Sequence, residues 1–68
     1  MYPRLKELRE YHDLSQQKIA EIAECTQSAY SKYENGKLDV PVQVFIKLAK
    51  FYNVSTDYIL GLTNKETL

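Results

Sequence analysis

Between Leu14 and Gly36 the chain carries two helix-capping residues, Ser15 and Thr26, each followed by apolar residues at helical spacing. A serine or threonine before a helix accepts a hydrogen bond from an N–H two or three residues on, so each marks a start. After Ser15, the side chains of Ile19, Ala20 and Ala23 fall on one side of a helix with about 3.6 residues per turn. This predicts a helix from Gln16 to about Ala23, with Leu14 before the cap able to staple onto Ile19. After Thr26 a second helix is expected from Gln27 to about Asn35. Tyr30 and Tyr33 lie on its buried side, and Gly36 is placed to end it. The two helices are joined by a tight turn holding Glu24 and Cys25. A positive φ at Glu24 would cost on the order of 1 kcal/mol there. Gln27, Ser28, Ser31 and Lys32 are left facing water.

The flanking segments supply what this pair packs against. Pro3 suits the first turn of a helix running from about Pro3 to His12, with Leu5 and Leu8 on one face and Tyr11 or His12 a turn later. Asp13 and Leu14 form a short connection. Ile22 points away from the stripe of its helix, which leaves it half exposed or against the fourth helix. Lys37 to Val40 is a loop. Pro41 then opens the main packing helix, in which Val42, Phe45, Leu48, Ala49 and Tyr52 recur at three- and four-residue intervals while Gln43, Lys47 and Lys50 take the wet side. Val54 follows the Asn53 turn. Ser55 caps a last helix from Thr56 to about Leu60, Asp57 complements its dipole, and Gly61 stops it. Thr63 to Leu68 is a polar tail expected to fray. With no repeat, linker or strand pattern, residues 1–68 read as one compact all-α domain of five helices.

Composition removes several classes of function. The 44% apolar and 26% charged residues are those of a globular chain, and no window approaches the roughly 18 consecutive apolar residues of a membrane span. The charged N-terminal segment lacks the apolar core of a secretory signal, so a cytoplasmic location is expected and no membrane partner. One cysteine and one histidine make neither an internal disulfide nor a metal-ligand cluster. Cys25 reads as a small apolar side chain tucked under the turn. His12 reads as interacting with the last carbonyls of its helix or with solvent. Without an acid-base pair, a nucleophile beside a base, or a phosphate-binding loop, no enzyme and no cofactor are indicated.

The outward row of the third helix carries the donors and acceptors that read base edges in a DNA major groove. A glutamine amide matches adenine N6 and N7, and a lysine amine can donate to guanine O6 and N7. The two central helices thus read as a helix-turn-helix. Nine cations against nine anions lack the basic balance of many DNA-binding domains, so the distribution of charge must supply what the total does not. The residues assigned to the DNA side, namely Gln16, Gln17, Lys18, Gln27, Ser28, Lys32, Asn35 and Lys37, include three lysines and no acid.

The runs Leu-Ser-Gln-Gln-Lys-Ile-Ala-Glu (14–21), Thr-Gln-Ser-Ala-Tyr-Ser-Lys-Tyr-Glu-Asn-Gly-Lys (26–37), Lys-Leu-Ala-Lys (47–50) and Asn-Val-Ser-Thr-Asp-Tyr-Ile-Leu-Gly (53–61), in this order and spacing, resemble the lambda-repressor-like family of Cro and phage-repressor helix-turn-helix regulators. The resemblance covers nearly the whole chain. It implies a five-helix domain with the helix-turn-helix in helices 2 and 3, acting as a sequence-specific transcriptional regulator. The expected form is a repressor bound as a homodimer to a palindromic operator in double-stranded DNA. Gln27, Ser28 and Lys32 match base-contacting positions. Gln16, Gln17, Asn35 and Lys37 fall where phosphates are held, and Gln16 also matches a residue that braces the glutamine opening helix 3. Arg9 and Glu34 match a structural ion pair, Ala20 the small residue at the helix crossing, and Tyr58 and Leu62 lie where related proteins pair, the alternative being that they complete the core.

The sequence departs from the family pattern at three points. Glu24 stands where glycine or asparagine is frequent, Ala23 where leucine is frequent, and the loop at Leu38 adds no cation. The rival reading from another class is a protein-interaction module, such as an antitoxin-like helical domain acting through a protein partner. The neutral net charge favours it; the Gln-Ser-x-x-x-Lys row favours DNA.

Overall fold

The structure, a computed structural model, describes residues 2–66. Its elements are α1 (Pro3–Tyr11), α2 (Gln16–Ala23), α3 (Gln27–Glu34), α4 (Val42–Tyr52) and α5 (Thr56–Leu60), with no strand among the described residues. The three starts expected at hydroxyl residues are capped as anticipated: Lys18 N–H donates to Ser15 Oγ, Ala29 N–H to Thr26 Oγ1 and Tyr58 N–H to Ser55 Oγ, each at 3.0 Å.

The helix ends share one device. In each, the chain turns through a left-handed residue, at Asp13, Glu24, Gly36, Asn53 or Gly61. The N–H after that residue then returns to a carbonyl five positions back: Leu14 to Arg9, Cys25 to Ala20, Lys37 to Lys32, Val54 to Ala49 and Leu62 to Asp57. This pairing satisfies carbonyls that a helix otherwise leaves open. Glycine adopts the left-handed region freely, yet three of these five residues are not glycine. Glu24, at φ +59°, has the conformation its place in the turn suggested, while Asp13, at φ +56°, carried no such expectation.

Helix α2 packs on α3 and α4, α4 on α5, and α1 on α3 and α5. Leu5, Ile19, Tyr30, Leu48 and Ile59 fill the centre. Each such aliphatic side chain contributes about 1.5–3 kcal/mol by leaving water. The packing face of α4 differs by one row from the expected one. Val42 is 69% exposed, whereas Val44 is buried with Phe45, Leu48, Ala49 and Tyr52. Val44 stands one turn before Leu48 and two before Tyr52, so it continues their row. Val42 sits in the first turn, beyond the edge of the core. His12 is exposed to solvent, as one of its two expected settings had it, and its ring also stacks on Tyr52 with centroids 5.1 Å apart. The chain end of α1 passes beside the end of α4, and the flat ring finds a flat partner there.

The segment after α5 returns to the body of the domain. Arg4 donates to the carbonyls of Tyr58 and Thr63 and to Asn64 Oδ1, and Ser55 N–H donates to the Glu66 carbonyl at 2.9 Å. Residues 63–66 of the tail are therefore tied to α1 and to the start of α5. The rest of the tail lies outside the described residues.

Candidate nucleic-acid interface

The turn between α2 and α3 is set by backbone geometry at Glu24 and by the size of Ala20. Ala20 is 2% exposed at the crossing of the two helices, and its carbonyl accepts from Cys25 N–H. Its methyl group lets the helix axes approach where a longer side chain would hold them apart. Ala23 is also buried. Cys25 is half-buried against the core, and burial pushes its thiol up from the usual range against a smaller opposing effect of Lys47. Glu24 reaches across to Lys47, Nζ to Oε1 3.4 Å, in a pair too exposed to contribute much.

Tyr30 and Tyr33 turn inward and fix the roll of α3 about its axis. The opposite side then presents Gln27, Ser28 and Lys32 to solvent, with Ser31 half-buried beside them. Eight residues at about 1.5 Å each give α3 a length of about 12 Å, comparable to the width of a major groove. Asn35, Gly36 and Lys37 are exposed where the helix ends, and Gln17 and Lys18 are exposed in the first turn of α2.

Behind this surface lies a buried polar cluster. Arg9 grips Glu34 with two nitrogens, Nε to Oε2 at 2.7 Å and Nη2 to Oε1 at 3.1 Å, and uses Nη1 to donate to the Leu14 carbonyl at 2.9 Å. The Glu34 side chain is 2% exposed. Burial alone would raise its carboxyl; hydrogen bonds from Arg9, Tyr30 and Gln16 overcome that and hold it below the usual carboxylate range. The Tyr30 hydroxyl lies between this carboxylate and the Leu5 carbonyl, 3.5 Å away, and its own acidity is suppressed first by burial. A single ion pair thus joins α1, the α1–α2 connection and the end of α3.

Gln16 belongs to the same cluster. Its Nε2 donates to Glu34 Oε1 at 3.2 Å, a hydrogen bond strengthened by the charge on its buried acceptor. Nothing in the sequence around Gln16 signals this partner. Tyr58 is half-buried, with the Arg4 guanidinium 4.0 Å above its ring, and Leu62 is 75% exposed.

A helix-turn-helix family model matches residues 5–59, spanning all five helices. The chain belongs to the lambda-repressor-like helix-turn-helix family. It is 41% identical over 61 residues to the HTH-type transcriptional regulator YobD of Bacillus subtilis, covering 90% of this chain and 54% of that protein. It is 40% identical over 58 residues to the regulator ImmR of the same organism, covering 85% and 46%. It is 35% identical over 57 residues to the antitoxin PezA of Streptococcus pneumoniae, covering 84% and 36%. The chain therefore spans about half the length, or less, of these relatives. What it shares with them is the DNA-binding domain of a transcriptional-regulator family.

Proposed function

We propose that the domain represses transcription in the cytoplasm by binding a palindromic operator as a homodimer, with α3 in the major groove. The observation that carries this reading is the exposed row Gln27, Ser28 and Lys32, on a short helix whose roll and far end are fixed from behind by Tyr30, Tyr33 and the Arg9–Glu34 pair. In this reading these three side chains contact bases. Gln16, Gln17, Asn35 and Lys37 hold phosphates on either side, which sets register without reading sequence. The second N–H of the Gln16 amide is the one offered to phosphate, since the first is taken by Glu34.

Two copies related by a twofold axis would place one α3 in each of two successive major grooves, roughly 34 Å apart on one face of DNA. One copy reaches one groove. Exposed Leu62 and half-buried Tyr58 are the apolar side chains proposed for pairing.

The test is selection of bound sequences from a random duplex pool, followed by titration of the winner at two salt concentrations. A palindromic site whose affinity falls with salt is expected. On that site Gln27→Ala should weaken binding by about 1–3 kcal/mol and relax preference at one base pair, whereas Asn35→Ala should weaken specific and random DNA alike. Equal loss on both DNAs for Gln27→Ala would exclude base readout. The neutral net charge favours a second reading, action through a protein partner. No enrichment from the pool would select it.

A further inference from the structure

On the side of the domain away from α2 and α3, the ends of α1 and α4 meet α5 around a cleft of about 380 Å³. Its aromatic walls are Tyr11, His12, Tyr52 and Tyr58, and its floor is Leu8 and Val54. The rings are arrayed against one another: Tyr11 edge-on to His12 at 5.3 Å, and His12 stacked on Tyr52 at 5.1 Å. Glu7, one turn before Tyr11, and Glu66 complete the lining, which among the described residues includes two acids and no lysine or arginine. Glu66 is brought there by its carbonyl's bond to Ser55 N–H, and by the hold of Arg4 on Thr63 and Asn64. The volume falls in the lower part of the range of small-molecule sites, about 300–1,000 Å³.

Aromatic faces attract cations through their quadrupole, and carboxylates at the rim attract them by charge. The same cluster already holds one cation in this way, the Arg4 guanidinium over the Tyr58 ring. That guanidinium is committed to the Tyr58 and Thr63 carbonyls and to Asn64, and is not among the groups lining the cleft. We propose that the cleft binds a small organic cation, a protonated amine or guanidinium compound. The charged end is held by Glu7 and Glu66, and the carbon chain lies against Tyr11, His12 and Tyr52. The site is separate from the proposed DNA surface and shares only Tyr58 with the proposed pairing surface.

The test is titration of the full chain, without DNA, with butylammonium and butylguanidinium at pH 8, followed by amide and aromatic NMR. Neutral butanol and anionic butyrate serve as controls. Saturable shifts at Tyr11, His12, Tyr52, Tyr58 and Glu66 are expected for the cations alone, with a dissociation constant on the order of 1 mM for ligands of so few atoms. Glu7→Gln should weaken binding about fivefold and Tyr11→Leu about threefold, while DNA binding stays unchanged. Both residues are exposed, so the fold should survive, and Glu66→Gln gives an independent second carboxylate variant. Equal shifts from butanol, or affinity for the cations that neither Glu7→Gln nor Glu66→Gln reduces, would overturn the proposal.

Discussion

Replacing Arg9 by leucine should remove most of the domain's stability at neutral pH and less of it in acid. Arg9 supplies two of the hydrogen bonds to a carboxylate that is 2% exposed, along with its neutralising charge. Leucine leaves Glu34 with the Gln16 amide and the Tyr30 hydroxyl. Breaking a buried pair from one side costs about 3–5 kcal/mol. At about 0.05–0.15 kcal/mol per residue, a domain of this length has only about 3–10 kcal/mol in total. The pH dependence follows from Glu34. In the native protein its pKa is depressed, so its contribution is present above the unfolded value of about 4.3 and is lost as pH falls below that toward the folded pKa. In the variant, burial dominates and the folded pKa rises above 4.3. The penalty is then relieved as pH falls from neutral toward 4.3. The gap between the two proteins should therefore narrow on acidification, by about 1.4 kcal/mol for each tenfold change in the carboxyl's proton affinity. Urea denaturation followed by circular dichroism at pH 7.5, 5.5 and 4 measures this. The double replacement Arg9→Leu with Glu34→Leu should recover much of the loss, because no charge is then stranded. A gap under 1 kcal/mol at pH 7.5, or one constant across the range, would refute the reasoning.

Glu24→Gly should stabilise the domain by about 0.5–1 kcal/mol, since the strain at φ +59° exceeds the loss of an exposed pair with Lys47 and glycine's added unfolded-state entropy; a lower urea midpoint would count against it. Ser15→Ala and Thr26→Ala should each cost about 1 kcal/mol through the lost cap, read from the same denaturation curves. The Tyr52 hydroxyl is buried and has no hydrogen-bond partner among the described residues, and burial pushes its pKa up to about 12. Tyr52→Phe should accordingly raise stability by about 1 kcal/mol, and a loss of that size would mean the hydroxyl is satisfied.

The frame of the surface proposed to face DNA was legible in the sequence because each of its parts is a local signal. Ser15 and Thr26 announce their helices three residues ahead of the bonds they make, and Tyr30 with Tyr33 orients α3, which leaves Gln27, Ser28 and Lys32 outside. The partner of Gln16 was not legible. Its amide meets Glu34 eighteen residues away, a contact that depends on where α3 ends relative to α2. Val44 was missed for a related reason. In the row that runs through Leu48 and Tyr52 it is as well placed as Val42 is beside Phe45, and the edge of the core chooses between them.

The sequence by itself determined the five helices, their caps and their order, because capping and apolar periodicity act over three or four residues and survive any arrangement of the rest. Tertiary structure alone decided that Arg4 would hold the segment after α5, across 54 to 60 residues of sequence. It likewise decided that Tyr11, His12, Tyr52 and Tyr58 would surround one cleft. Such contacts join residues whose separation along the chain carries no signal, and they exist only once helix ends from distant segments have been packed together.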